Sequence, residues 1–324
     1  MTDIALIDAA AARAKGVVRE TPLLSSPFLD EIAGRPLHAK AEVLQHTGSF
    51  KFRGGWAAVS ALDPETRARG VLAFSSGNHA QGVAHAAQLH GVPATIIMPR
   101  DAPALKIANT SALGAEVVLY DRAGGEKREE IGARLQSERN LTLIKPFDDA
   151  QVIAGQGTCG LEIAAQAAAL GIPQATVLTC CGGGGLTSGI ALALEARAPG
   201  LTVRPVEPEG FDDTARSLAA GTRTGHGLPE KGFCDAILTP MPGEITFPIM
   251  ARLCGPGIVV TELEVKEAMR LAATRLKLVV EPGGAVALAA ALFHGRELAD
   301  GPVIVTLSGG NADPGHYADI LAGG

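Results

Sequence analysis

The sequence predicts an α/β fold of mainly parallel sheets flanked by helices, and three observations predict it. Short β-branched runs alternate with alanine-rich stretches of helical spacing along nearly all of the 324 residues. Helix ends are punctuated by Gly and then Pro, as at Gly91 and Pro93 or Gly171 and Pro173. The turns that follow several strands are rich in Gly and Ser, the usual place for ligand chemistry in such folds. Strand–helix–strand alternation of this kind implies a parallel sheet covered by helices on both faces.

In chain order, the opening MTDIALIDAAAARAKGVVRE reads as an amphipathic helix and not as a secretory leader. The strand candidates are 38–44, 71–76, 94–99, 116–121, 142–147, 175–180, 202–208 and 303–308. Between them, GVAHAAQLHG, IGARLQSERN, LEIAAQAAALG, IALALEA and VKEAMRLAATRL place apolar residues at helical spacing. Length alone suggests about two domains. The polar segment LDPETRAR (62–69) and a second break after Phe147 divide the chain accordingly. A small α/β domain over 70–147 is expected to be inserted into a large domain built from 1–69 and 148–324.

Composition excludes several functions. Apolar residues at 47% and charged residues at 19% describe a globular chain. A net charge of −6 leaves no basic footprint for nucleic acid. Apolar runs such as AVALAAALF are about half of what a membrane span needs. Five cysteines without a CxxC pair fit a reducing compartment, so a cytoplasmic protein is expected. Glycine, at 40 of 324 residues, is unusually common.

Four segments carry candidate chemistry. SSGNHAQG (75–82) joins a strand to a helix start, which suits a carboxylate; the alternative is an ordinary N-cap. CCGGGGLTSG (180–189) offers consecutive backbone N–H groups that can wrap a phosphate, where the alternative is a flexible turn. It is no Walker loop, because the chain has no Gly-Lys dipeptide. LSGGN (307–311) places another Ser after a strand, a weak signal by itself. In HTGSFKFRGG (46–55), Lys51 lies between two phenylalanines. Apolar surroundings lower a lysine pKa towards base or Schiff-base work, although from this segment alone a surface lysine lying over the rings is the favoured reading. GQGTCG (155–160) matches a dinucleotide fingerprint and reads as opening a helix. The acidic residue expected about 20 positions on is missing, which argues against a nicotinamide cofactor.

Together these motifs describe a pyridoxal-phosphate site. HTGSFKFRGG, SSGNHAQG, VIAGQGT, the tetraglycine loop, EPGGA and LSGGN occur in the order found in fold-type II pyridoxal-phosphate enzymes. The chain resembles most the threonine/serine dehydratase and serine racemase group, from Thr21 to Asn311. The resemblance implies a two-domain, tryptophan synthase β-like fold. Lys51 would hold the cofactor as a Schiff base and then remove the α-proton. Phe50 would pack on the pyridine ring, and Asn78 would bond the ring hydroxyl. Gly182, Gly183, Gly184, Gly185 and Leu186 would hold the phosphate. Ser75, Ser76, Gly77 and His79 would surround the substrate carboxylate, with Ser76 as the opposite-face acid/base. Ser308 would face the ring nitrogen as a neutral partner, which favours loss of a β-substituent over transamination.

The activity implied is β-elimination of water from L-threonine or L-serine, giving a 2-oxo acid and ammonia. Phe147, where the racemases compared have a polar residue, ranks dehydration above racemisation; a 3-hydroxyaspartate dehydratase is the other alternative. Cys180 and Cys181, CDAILTP (234–240) and EPGGA (281–285) depart from the usual pattern and leave the accepted side chain open. A non-catalytic binding protein is disfavoured by the intact Lys51. Glu207, the carbonyl of Phe211 and Asp213 present oxygens suited to Mg²⁺ or Ca²⁺, a site the resemblance also implies. Acids favouring a helix start are the alternative. His85 and His90 read as helix-surface residues. The given sequence stops soon after LSGGN, so the resemblance implies the short, catabolic-type enzyme. It also implies a homodimer.

Overall fold

The structure, a computed structural model, describes residues 2–75, 77–228 and 231–323. Its strands are β1 (Leu23–Ser25), β2 (Leu37–Lys40), β3 (Val71–Phe74), β4 (Ala94–Pro99), β5 (Glu116–Tyr120), β6 (Thr142–Leu143), β7 (Ala175–Cys180), β8 (Leu201–Pro208), β9 (Ile258–Val260) and β10 (Val303–Thr306). They form a six-stranded sheet ordered β1-β2-β10-β7-β8-β9 and a four-stranded sheet ordered β5-β4-β3-β6. Every pairing is parallel except β1 with β2. The α/β class with mainly parallel sheets is therefore what the chain adopts.

Three features differ from the sequence reading. The run 38–44 leaves the sheet after Lys40, because buried Glu42 turns inward to meet Arg53 and its backbone coils into a 3-10 turn. The run 142–147 pairs only over Thr142–Leu143, and Pro146 beyond has no N–H to offer a ladder. The three-residue strands β1 and β9 are too short for any periodicity to reveal. By contrast, Gly91 closes the helix Asn78–His90 in the left-handed conformation at φ +66°, which a glycine adopts without steric cost.

GQGTCG does not open a helix. It lies inside the long helix Ala150–Ala169, and its glycines serve close packing. A Cβ on Gly157 would come within 3.0 Å of the Gly189 carbonyl, and one on Gly160 within 2.9 Å of the Ile190 backbone. A Cβ on Gly155 would strike Arg53 and Ala57 of the helix Lys51–Ala61. The central helix thus docks two others at backbone contact: the one that begins with Lys51, and the one that follows the tetraglycine loop.

Under the larger sheet runs the helix Pro282–Phe293, buried from Pro282 to Leu292. A helix apolar all round must lie inside a core. It packs among Leu178, Val206, Val303 and Val305 of the strands. Burial of each such aliphatic side chain stabilises by roughly 1.5–3 kcal/mol.

A buried ionic cluster fixes the start of the Lys51 helix. The Arg53 guanidinium meets Glu42 at 2.7 and 2.8 Å and Glu162 at 2.6 and 2.8 Å, and Lys40 reaches Glu162 at 2.6 Å. Burial alone would push the Glu42 carboxyl up, yet Arg53 and Lys40 hold it below the ordinary value.

Candidate active site

A cavity of about 620 Å³ opens at the carboxyl ends of β3 and β7, between the two sheets. Phe50, Lys51, Ser75, Gly77, Asn78, His79, Gly182–Gly185 and Leu186 all line it. The structure thus brings together residues from three separate turns of the chain. Ser76 lies outside the described residues. Ser308 is buried behind the wall, beside the thiol of Cys180, which does line the cavity.

Lys51 is the first residue of its helix, where the preceding turn is held by unusual backbone. Thr47 sits in the left-handed region at φ +59°, a conformation that costs a non-glycine residue energy and tends to mark functional turns. The amide of Asn311 secures it, donating to the Thr47 carbonyl at 2.9 Å and to Asn78 Oδ1 at 2.8 Å. The Lys51 ammonium donates to the Pro146 carbonyl at 2.9 Å and lies 5.0 Å from the Phe50 ring centre. Burial brings it down from 10.5 to about 8, against the pull of Glu281.

Asn78 opens the helix Asn78–His90. Its Oδ1 accepts from Asn311, one amide hydrogen goes to Glu281 Oε1 at 2.5 Å, and the second remains for a ligand. The Ser75 hydroxyl accepts from the Gly77 N–H at 3.1 Å and shapes the turn. His79 behaves differently from a simple anion ligand. Its Nε2 lies 2.9 Å from the Ile144 carbonyl, which only an N–H can satisfy, so Nδ1 carries a bare lone pair. Burial and the nearby Lys51 charge lower its pKa to about 3, keeping the ring neutral. A carboxylate here would be met by backbone N–H groups of the helix start and not by this imidazole.

The glycine loop is packed too tightly for side chains, which leaves its backbone to line the cavity. A side chain on Gly183 would collide with the Phe147 ring, and one on Gly184 with Met250. Gly184 also sits at φ +88°, directly before the helix Gly185–Arg197, whose first residues Gly185, Leu186 and Thr187 line the cavity. Thr246 pins the loop by donating to the Gly183 carbonyl at 2.6 Å.

Sequence reasoning gave no role to Glu281 or Lys106. Glu281 is buried, and its Oε2 has no partner among the described residues; burial raises its carboxyl to about 7. EPGGA was visible as a motif, and an acid directly before an entirely apolar helix was the available signal. Lys106 had none, because only the fold brings the helix Ala104–Ala112 over the cavity.

Farther along, β8 leads to the acidic segment. Both Glu207 oxygens accept backbone N–H groups, from Thr214 at 2.9 Å and Ala215 at 2.8 Å. Asp213 is buried, and neither carboxylate oxygen has a partner among the described residues. Two orphaned oxygens beside a second carboxylate suit a hard cation. Among the described residues no group of three or more His, Cys, Asp or Glu side chains could hold a metal, so a site here would need backbone oxygen, as at Phe211, and water.

These features define an α/β chain in which a half-buried lysine, a glycine loop and a helix start share one cavity. The model of the family described as pyridoxal-phosphate dependent enzyme matches residues 14–309, and the chain belongs to that family. It is 43% identical over 317 residues to the L-threo-3-hydroxyaspartate ammonia-lyase of Saccharomyces cerevisiae, covering 97% of this chain and 94% of that one. The serine racemase of Oryza sativa subsp. indica is 38% identical over 319 residues, with 97% and 92% covered. A crystal structure of T.th. threonine deaminase superposes with a TM-score of 0.90 at 47% identity, covering 96% of this chain and 99% of that one. The cofactor is pyridoxal phosphate, and the chain is an enzyme of the ammonia-lyase and racemase class. Among the described residues no helix is long and apolar enough to cross a membrane.

Proposed function

We propose that this enzyme eliminates water from β-hydroxy-α-amino acids, L-serine and L-threonine or L-threo-3-hydroxyaspartate, to give a 2-oxo acid and ammonia. The observation that carries the reading is Lys51, an amine lowered to about 8 on the floor of a cavity walled by a glycine cradle. Near neutral pH such an amine is unprotonated often enough both to hold an aldehyde and to accept an α-proton. Bound pyridoxal phosphate supplies the electron-withdrawing ring that makes the α-hydrogen acidic.

The remaining roles belong to the chain. Gly182–Gly185 and Leu186 hold the phosphate, Phe50 packs on the ring, and Asn78 gives its spare amide hydrogen to the ring oxygen. Ser308, although beside the Cys180 thiol and outside the cavity lining, would be the neutral group toward the ring nitrogen, which favours departure of the β-hydroxyl. Ser75, Gly77 and the backbone at His79 receive the substrate carboxylate. Phe147 in the wall supports dehydration over racemisation. The name of the relative from Saccharomyces cerevisiae supports the hydroxyaspartate form of the reading.

The test is a panel of these three amino acids, following 2-oxo acid and the enantiomer together, with Lys51→Ala as control. Lys51→Ala should lose several orders of magnitude in turnover, and borohydride reduction of the wild type should leave a cofactor adduct on Lys51. Normal turnover by the variant, or no adduct, would overturn the assignment. Racemisation outpacing elimination of L-serine would move the enzyme to the alternative activity.

Three further readings belong to the same proposal. The chain forms a large domain from 1–69 and 148–324 with a small α/β domain, 70–147, inserted into it. A divalent cation binds at Glu207, the Phe211 carbonyl and Asp213. The enzyme is a homodimer, which sedimentation at several concentrations would check.

A further inference from the structure

The cavity wall carries a cation that the elimination chemistry leaves unused. Lys106 projects from the helix Ala104–Ala112, and its side chain is only 12% exposed. A Cβ placed on Gly77 would lie 3.5 Å from its Nζ, so the ammonium rests against the turn that receives the substrate carboxylate. Across the cavity it meets Asp235 Oδ2 at 2.9 Å. Asp235 belongs to the departing segment 234–240 and its side chain is 49% exposed.

We propose that Lys106 recognises a second, distal carboxylate on the substrate, so that the site takes dicarboxylic β-hydroxy amino acids; this rests on the elimination activity proposed above. The pairing makes the exchange inexpensive. With a neutral side chain bound, Lys106 keeps Asp235 as its partner and no buried charge is left alone. When a distal carboxylate arrives, it takes the ammonium, and the half-exposed Asp235 returns to water, where an ion pair of that exposure is worth little. Lys106 stays charged throughout, since Asp235 and Glu281 together outweigh its burial. Arg128, Lys145 and Arg223 line the same cavity; Arg223 is paired with Glu244 at 3.2 Å and holds the Pro242 carbonyl at 2.9 Å, and Arg128 donates to Glu129 at 2.8 Å. Lys106 is the side chain nearest to a Cβ built on Gly77.

The experiment uses the holoenzyme and compares L-threo-3-hydroxyaspartate with L-serine as substrates, and succinate with butyrate as unreactive ligands read by the cofactor absorbance. In Lys106→Met the ratio of kcat/KM for the dicarboxylic over the monocarboxylic substrate should fall by at least about tenfold, the scale of a charged hydrogen bond. Lys106→Arg should keep the ratio within about threefold, and Asp235→Asn should raise it, because the competitor for the ammonium is gone. A purely structural lysine would lower both substrates alike in Lys106→Met, and that result, or an unchanged ratio, overturns the proposal. If the wild type releases no 2-oxo acid from either amino acid, the elimination reading fails, while the ligand pair still decides Lys106. Succinate preferred over butyrate, with the preference lost in Lys106→Met, supports it; equal binding of the two by the wild type refutes it.

Discussion

Asn78 donates its side-chain amide to Glu281 at 2.5 Å, joining residues 203 positions apart at the base of the cavity. Burial raises the Glu281 carboxyl from 4.5 to about 7; Lys106, Asn78 and Lys51 oppose the rise, and Asp235 adds to it. The folded chain therefore holds this proton more tightly than the unfolded chain does. Stability is then present at low pH and lost as pH rises from about 4.5 through about 7. A difference of that size is worth about 3 kcal/mol. Denaturant unfolding of the apoprotein should show the wild type losing ground to Glu281→Gln between about pH 5 and pH 8. Parallel curves for the two proteins would mean that Glu281 is ionised throughout.

Lys51 gives a second pH signature. Its amine titrates near 8 where an exposed lysine titrates near 10.5, and the Glu281 charge is the group that opposes the lowering. Only the unprotonated amine attacks an aldehyde. The rate at which apoprotein regains pyridoxal phosphate should thus rise with pH to a midpoint near 8. In Glu281→Gln the midpoint should move lower, because the charge that favours the ammonium has gone. Stopped-flow absorbance would read both midpoints, and a wild-type midpoint above 10 would contradict the burial of this amine.

Much of this site was legible in the sequence because its parts are local. Each turn is a strand end, a glycine or serine cluster and a helix start, and Lys51, Asn78 and the tetraglycine each sit inside one such turn. What escaped was created by juxtaposition. Glu281 acquires its meaning from Asn78, and Lys106 from Gly77 and Asp235, none of which neighbours it in the chain. The strand reading of 38–44 overran for the same reason, since the residue that pulls Glu42 from the sheet is Arg53, eleven positions later. The GQGTCG pattern misled in the opposite sense. Its glycines answer to the helices across from them, a packing demand that imitates a phosphate-binding spacing.

Arg53 yields the third prediction. Its guanidinium spans two carboxylates, sharing Glu162 with Lys40, and the Glu42 side chain is fully buried. Arg53→Met should destabilise by about 3–5 kcal/mol, the usual cost of stranding a buried charge. The combined change of Arg53→Met with Glu42→Leu should recover part of that loss, because no ion is then left unpaired. Lysine at position 53 should not substitute, since one ammonium cannot span both carboxylates in a fork. Urea midpoints of the four proteins would check the ordering. A double variant less stable than Arg53→Met would show that the network does more than balance charge.

The last prediction concerns the acidic segment after β8. Asp213 buries two oxygens without a partner among the described residues, and after burial itself its charge adds to the raising of the Glu207 carboxyl. A cation placed between them would repay both desolvation costs at once, and it would do so only in the folded chain. A ligand with that preference stabilises by mass action, about 2.7 kcal/mol at a hundred times its dissociation constant. Removing divalent ions with a chelator should therefore lower the melting temperature of the holoenzyme, and Mg²⁺ or Ca²⁺ should restore it. Asp213→Asn should lose the response to added metal. It should melt at least as high as the metal-free wild type, because it no longer buries a charge. Thr214 and Ala215, which hold Glu207, begin the helix that packs beside β8, the strand next to β7 and its glycine loop. Metal removal should accordingly speed the loss of pyridoxal phosphate from the wild type on dilution. Equal melting temperatures with and without chelator, in wild type and Asp213→Asn alike, would return this segment to a helix start that merely carries acids.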